Sequence, residues 1–427
     1  MKINYFFVFL LLNTFAVFGQ KTLQYSDFTY QPNIKSVLLY PANQSDGINP
    51  MLKSPIVALN GEIPLVLEFD DLNASYEQYH LKIIHCTYDW QPSVLSEIEY
   101  MSDFNDIIIN DYAVSQNTKV SYFHYAIEIP KVRISGNYLV MLYKGRSKND
   151  VVLTKRFMVY EPKVSAMTDI RPAQDPAQWR THQQIDFELN YSNYAVRSPR
   201  DEFRVLIRQN QRWDKTIENL KPSGVMESRQ QLTYRFFNNE NLMLGGNEFR
   251  FFDISTAYSK GIGVSKIQQG KEDAILISPQ VNRSEFSYVS TRDLNGKYVI
   301  DNFDSGNGAT QADYIWATFS LKSHELEGNK KVYVNGDFNN WSLNEQNQME
   351  YDAEFGGYIA TIQLKQGFYD YDFVVKNLDD NKTDESYFEG NFADTGNTYE
   401  ILIYHKPPTA RAELLVGYSI VNTFNSR

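Results

Sequence analysis

Cysteine is nearly absent. Cys86 stands alone among 427 residues, which excludes an internal disulfide and leaves stability to packing. Basic clusters are also lacking: 41 Lys and Arg stand against 52 Asp and Glu, for a formal net charge of −11. That balance speaks against nucleic acid and anionic membrane surfaces, which reward concentrated positive charge. Beyond the first 19 residues no run reaches the roughly 18 consecutive apolar residues of a membrane helix, so no direct membrane insertion is expected. His80, His85, His124, His182, His324 and His405 show neither His-x-x-x-His spacing nor a Cys/His array. Gly-x-Ser-x-Gly and Gly-x-x-x-x-Gly-Lys are missing, which removes the nucleophile elbow and the phosphate-cradling loop. The acidic stretch from Asp301 to Asn307 lacks the distal glutamate of a calcium loop and reads as a solvated turn. Catalytic, cofactor-binding and metal residues are therefore predicted as none, and partner-contacting residues are unknown at this level.

The first residues show a short positive start at Lys2 and a mostly apolar run from Ile3 to Phe18, broken by Asn4, Asn13 and Thr14. Val17-Phe18-Gly19 then precedes Gln20. This is the pattern of a secretory signal peptide over residues 1–19, cleaved after Gly19, and its uninterrupted core from Tyr5 to Leu12 is too short to span a bilayer. No cysteine follows the cleavage position, so lipid attachment is not expected.

What the chain has in quantity is aromatic residues: 30 Tyr, 27 Phe and 5 Trp, types that favour half-buried pleated surfaces. Period-two alternation recurs in Ile63, Leu65, Leu67 and Phe69, and again in Phe123, Tyr125, Ile127 and Ile129. The same pattern marks Ile185, Phe187, Leu189 and Tyr191, then Phe203, Val205 and Ile207, and finally Ile315, Ala317, Phe319 and Leu321. Turn dipeptides such as Asn60-Gly61, Asn295-Gly296 and Gly356-Gly357 fall between the runs. Short strands with regular turns predict tandem β-sandwiches. A transmembrane β-barrel would also alternate, but these segments are unevenly spaced, and Glu161-Pro162-Lys163 and Lys406-Pro407-Pro408 suit joints between domains. The expected division is a signal peptide over 1–19, an N-terminal sandwich over 20–160, a middle β domain over 161–280 and a C-terminal sandwich over 281–427.

Ile84 to Ser93 places a histidine, the lone cysteine, an acid and a tryptophan together, as an active site would. In a strand, however, Ile84, Cys86, Tyr88 and Trp90 share one face while His85, Thr87 and Asp89 share the other. A Cys/His nucleophile pair would point apart, so a half-buried structural strand is predicted, with Cys86 as a small hydrophobe.

The block His85-Cys86-Thr87-Tyr88-Asp89-Trp90, with Glu99-Tyr100, Ser115 to Thr118, Tyr122 to Tyr125, Ser135 to Tyr138 and Phe157 to Glu161, resembles the plug protein family of the type IX secretion system. Ile207 to Asp214 and Gly245 to Asp253 extend the resemblance over nearly all of the chain beyond the signal peptide. Tyr88 departs from it, since alanine is commoner in the family at that place. The resemblance implies a non-enzymatic periplasmic protein that closes the inner mouth of a large outer-membrane translocon barrel, with no cofactor and no short list of contact residues. Val332 to Trp341 and Gly367 to Val375 are also similar to the glycogen-binding type of immunoglobulin-like sandwich. There Trp341 either fills the sandwich or offers a stacking face, and Tyr369, Tyr371 and Phe373 share one strand face. The fold class expected is thus all-β, with tandem immunoglobulin-like sandwiches. The translocon is the partner and envelope carbohydrate the lesser alternative.

Overall fold

The computed structural model describes residues 22–42 and 47–423; the signal peptide expected over residues 1–19 lies outside the described residues. Nearly every element is a strand, because alternating apolar residues repeatedly find a core on one face. The first sandwich is built from β1 (Phe28–Thr29), β2 (Ile34–Pro41), β3 (Ile56–Ala58), β4 (Leu65–Asp71), β5 (Tyr79–Cys86), β6 (Ile107–Ile108), β7 (Asp111–Val114), β8 (Phe123–Glu128), β9 (Gly136–Lys144) and β10 (Val151–Tyr160). One sheet has the order β2-β4-β8-β7 and the other β1-β10-β9-β5-β6, with β3 parallel to β10. Leu65, Leu67, Phe69 and Tyr125 from the one meet Leu81, Ile83, Tyr138, Val140 and Leu142 from the other.

The chain continues through β11 (Ser165–Pro172), β12 (His182–Asn190), β13 (Phe203–Gln209), β14 (Thr216–Glu218), β15 (Gly224–Met226), β16 (Gln231–Tyr234) and β17 (Leu242–Leu244). It then crosses to a third unit: β18 (Arg250–Asp253), β19 (Val264–Gln268), β20 (Asp273–Ile277), β21 (Gln280–Val281), β22 (Tyr298–Ile300), β23 (Tyr314–Lys322), β24 (Lys330–Asn335), β25 (Gln348–Asp352), β26 (Gly357–Lys365), β27 (Gly367–Asn377) and β28 (Thr383–Asp384). The last strands, β29 (Thr398–His405) and β30 (Leu414–Asn422), return to the middle unit, whose sheets are β11-β12-β16-β15 and β14-β13-β29-β30.

This pairing departs from the division expected near residue 280. Arg250–Asp253 pairs antiparallel with Phe368–Tyr371, so β18 already belongs to the third unit, and Phe203–Gln209 pairs with Tyr399–His405. The reason is that an apolar central strand takes whichever partner completes its ladder, and turn residues mark only connections between neighbours in sequence.

The sheets of the first two units form a continuous stack. The outer face of the β5 sheet, with Cys86, Leu139 and Met158, packs on Leu206, Leu402, Tyr404 and Leu415 of the β13 sheet. Both sheets are therefore covered on both sides. Their strands, such as Gly136–Lys144 and Phe203–Gln209, are buried almost throughout and carry near-continuous apolar runs. On the opposite flank Leu38 of β2 enters the core of the third unit, where it joins Phe252, Ile275, Phe319 and Phe373. Below that contact Asp70 Oδ2 accepts from Lys365 Nζ at 2.7 Å and from Tyr314 Oη at 2.7 Å, while Oδ1 lies 2.8 Å from His124 Nδ1.

Candidate interaction surface

His85 and Cys86 are both buried and lie on opposite faces of β5. The imidazole sits in the first core against Tyr138 (ring centroids 5.0 Å) and Tyr100 (5.7 Å), where desolvation lowers its pKa to about 4. Burial pushes the Cys86 thiol up to about 12, so it is no thiolate near neutrality. The strand is buried on both faces, where a half-buried one was expected, because the middle unit covers the cysteine side. Tyr88 and Trp90 reach that side through a turn after β5, with Trp90 at φ 62°.

The motif residues converge on seams. Trp90 meets Trp213 edge to face at 4.7 Å, Arg156 lies 4.5 Å from the Trp90 ring centre and Arg208 lies 4.3 Å from that of Trp213. Arg208, itself buried, donates to Glu400 Oε2 at 2.7 Å and to Ser54 Oγ at 2.7 Å, tying β13 to β29 and to the first unit. Tyr404 Oη donates to Asn137 Oδ1 at 2.8 Å, and Asn137 Nδ2 holds the carbonyls of Thr87 and Tyr88 at 3.2 Å. A Cβ on Gly136 would stand 2.8 Å from His85 Nε2, and its φ of 149° also favours glycine. Arg156, Arg208 and Trp213 carried no site signal of their own, although Arg208 and Trp213 lie within one of the resembling stretches. Only the stacking of two sheets gives them a common address.

The C-terminal motif is likewise occupied by packing. Tyr369, Tyr371 and Phe373 are buried in the third core. Trp341, at φ 57°, has the Arg212 guanidinium 3.9 Å from its ring centre and Phe249 edge-on at 5.8 Å. A Cβ on Gly296 would meet the same ring at 2.2 Å, so the Asn295-Gly296 turn must lie bare against it. Among the described residues no group of three or more His, Cys, Asp or Glu is placed to hold a metal ion.

With the motifs absorbed into seams, partner contact falls to what remains exposed. A long stretch of closely spaced exposed apolar residues follows the Ile84–Ser93 block. The helical turn α1 (Glu97–Tyr100) is closed by a capping box in which Ser96 N and Oγ each donate to Glu99 Oε2 at 2.7 Å. It buries Tyr100 inward and turns Ile98 outward. Val94, Ile98 and Phe104 are 70%, 76% and 81% exposed, and Ile108, Tyr112 and Val114 continue the series along β6 and β7. Tyr76 tilts against Tyr112 at 4.8 Å. Lys, Arg and His are all missing from residues 92–118. Apolar side chains gathered this way mark interaction sites more often than scattered ones do.

Three comparisons bear on this geometry. Residues 34–161 match the family model described as type 9 secretion system plug protein, first domain, and the exposed stretch lies inside that match. A crystal structure of a hypothetical protein from Parabacteroides merdae is 27% identical, with a TM-score of 0.87, covering 94% of this chain and 100% of that one. The curated proteins provide no match.

Proposed function

We propose that the protein closes the periplasmic opening of the outer-membrane translocon barrel of the type 9 secretion system, a reading supported by the match of residues 34–161 to the first domain of that system's plug protein. The observation that carries the reading is the family match, and it falls on the unit that bears the exposed apolar stretch. A stopper has to be stiff, and the seams supply stiffness. Stacked sheets, buried Arg–carboxylate pairs and interlocked tryptophans leave the units little freedom to bend against one another. The reading is non-enzymatic: a neutral buried thiol and a neutral buried imidazole on opposite faces cannot activate each other. It also has the chain exported, with a mature N-terminus at Gln20, and no helix among the described residues is long and apolar enough to cross a membrane.

The test compares outer-membrane permeability to large antibiotics in cells with and without this chain, the translocon being present in both. Removal is expected to leave the pore unsealed. Equal permeability, together with failure of the tagged protein to bring down the barrel, would refute the reading.

A further inference from the structure

Strands β6 and β7 are edge strands of the two sheets of the first sandwich, and they lie at the same end because only residues 109 and 110 separate them. Ser115 N donates to Tyr122 O at 2.9 Å, and β7 pairs with β8 through Asp111–Ala126, Tyr112–Tyr125, Ala113–His124 and Val114–Phe123. In an antiparallel ladder alternate residues bond the same neighbour, so Tyr112 and Val114 direct their N–H and C=O groups away from β8. The next outward donor, Gln116 N, is taken by Thr310 O at 2.8 Å, which stops the open edge at Val114. The described residues supply no second partner to the backbone at 112 and 114.

Exposed edges are normally blunted by lysine, by proline or by a covering loop. Here the edge carries exposed Tyr112 and Val114, preceded in the chain by exposed Phe104 and Ile108, and none of those protections. Its charge has one sign. Glu97 pairs with Lys82, Glu99 with Arg411 at 2.5 Å and Asp106 with His80 at 2.7 Å, whereas Asp103 and Asp111 have no side-chain partner among the described residues. An apolar, open, two-acid edge complements an extended segment that is itself apolar and flanked by Lys or Arg.

We propose that β7 is completed by strand addition: an extended, basic-flanked apolar segment of the translocon pairs with Tyr112 and Val114 and lays its side chains on Phe104, Ile98 and Ile108. This rests on the plug reading and names the contact through which it works. Main-chain bonds at the edge would set register, and the apolar side chains would supply most of the affinity.

Proline at 114 separates this mode from simple apolar contact. The Val114 N–H faces outward, so Val114→Pro removes a donor to the partner while leaving every β7–β8 bond in place. The full-length tagged chain is expressed in its host and the barrel recovered with it is quantified, alongside the thermal midpoint of each purified variant. Val114→Pro and Phe104→Ser are expected to lower barrel recovery about tenfold or more at an unchanged midpoint, and Asp103→Lys with Asp111→Lys should lower it as well. If the wild type recovers the barrel and these variants recover it equally, the edge is not the contact, while the plug reading stands. If the wild type itself recovers no barrel, the plug reading fails and the edge assignment with it. A benzophenone side chain at position 112 gives a second readout. An adduct within a Lys- or Arg-bearing segment of the barrel supports strand addition. An adduct to a second copy of this chain overturns it.

Discussion

Two buried places in this molecule hold ionisable groups without a full complement of partners, and they respond to pH in opposite directions. In the first sandwich both ring nitrogens of His85 lack a hydrogen-bond partner, and desolvation holds the ring neutral with a pKa of about 4. Where the chain crosses from the middle to the third unit, Glu248, Asp293 and Asp370 gather around the turn at 293–296. Burial, joined by the Asp293 charge, raises Asp370 to about 8, and burial raises Glu248 to about 7. Asp370 Oδ2 accepts from Leu294 N at 2.5 Å and Gly296 N at 3.1 Å, and Glu248 Oε1 accepts from Gly396 N at 3.0 Å. One oxygen of each of those two carboxyls is left without a partner, which is where a retained proton would sit. A buried base destabilises the fold when it must take up a proton and become charged, and a buried acid does so when it must give one up and become charged. The two windows overlap, so the effects oppose each other between about pH 4 and 6.5, and above that range only the carboxyl effect continues.

The comparison is broken most severely by disturbing a buried charge that is fully paired. Lys365→Ala would strand Asp70 with only Tyr314 and His124, at the seam between the first and third units, and is expected to cost about 3 to 5 kcal/mol. A shift in the urea midpoint measures it; a change below about 1 kcal/mol would show that the seam does not depend on the ion pair.

The acid limb comes next. The folded pKa of His85 lies below its unfolded value, so its stability contribution is complete above pH 6.5 and is lost as pH falls toward 4. The size is on the order of 3 kcal/mol. His85→Phe should flatten the stability profile in that window, read by urea unfolding at pH 4 and pH 7. An unaltered slope would mean another group sets it.

The alkaline limb runs the other way. Asp370 and Glu248 have folded pKa values above their unfolded ones, so stability falls as pH rises through the carboxylate range toward 8. Asp370→Asn keeps an acceptor for Leu294 and Gly296 and can donate toward its neighbours. It should gain at least about 1 kcal/mol on the wild type at pH 8 compared with pH 5. Equal differences at the two pH values would place the proton elsewhere.

The smallest effect belongs to Cys86. Its thiol is a packing group in the seam between the first and middle units, so Cys86→Ala should cost about 1 to 2 kcal/mol while barrel recovery is unchanged. Loss of recovery in a folded variant would contradict a structural role.

Much of this was legible beforehand. Alternating residues such as Leu67 and Phe69, or Phe319 and Leu321, named their own core faces, because a strand's period of two converts directly into burial. The separation of His85 from Cys86 followed from the same period. Less legible were the run in β9, where burial on both faces erases alternation, and the return of β29 to β13, which no local pattern encodes. The surface stretch from Val94 to Val114 was hidden for a related reason. Its apolar residues carry no mark of exposure in the sequence, and for Ile108, Tyr112 and Val114 it is the edge positions of β6 and β7 that leave them outside.

Composition and periodicity by themselves determined that the chain is all-β, that one thiol must be a packing group and that the known nucleophile and phosphate-loop motifs are missing, since these depend on residue identity and local spacing. Tertiary structure decided which sheets stack, which tryptophans interlock and which edge stays open. Those outcomes depend on long-range pairing, where a strand's partner is chosen by the burial it completes rather than by its neighbours in sequence.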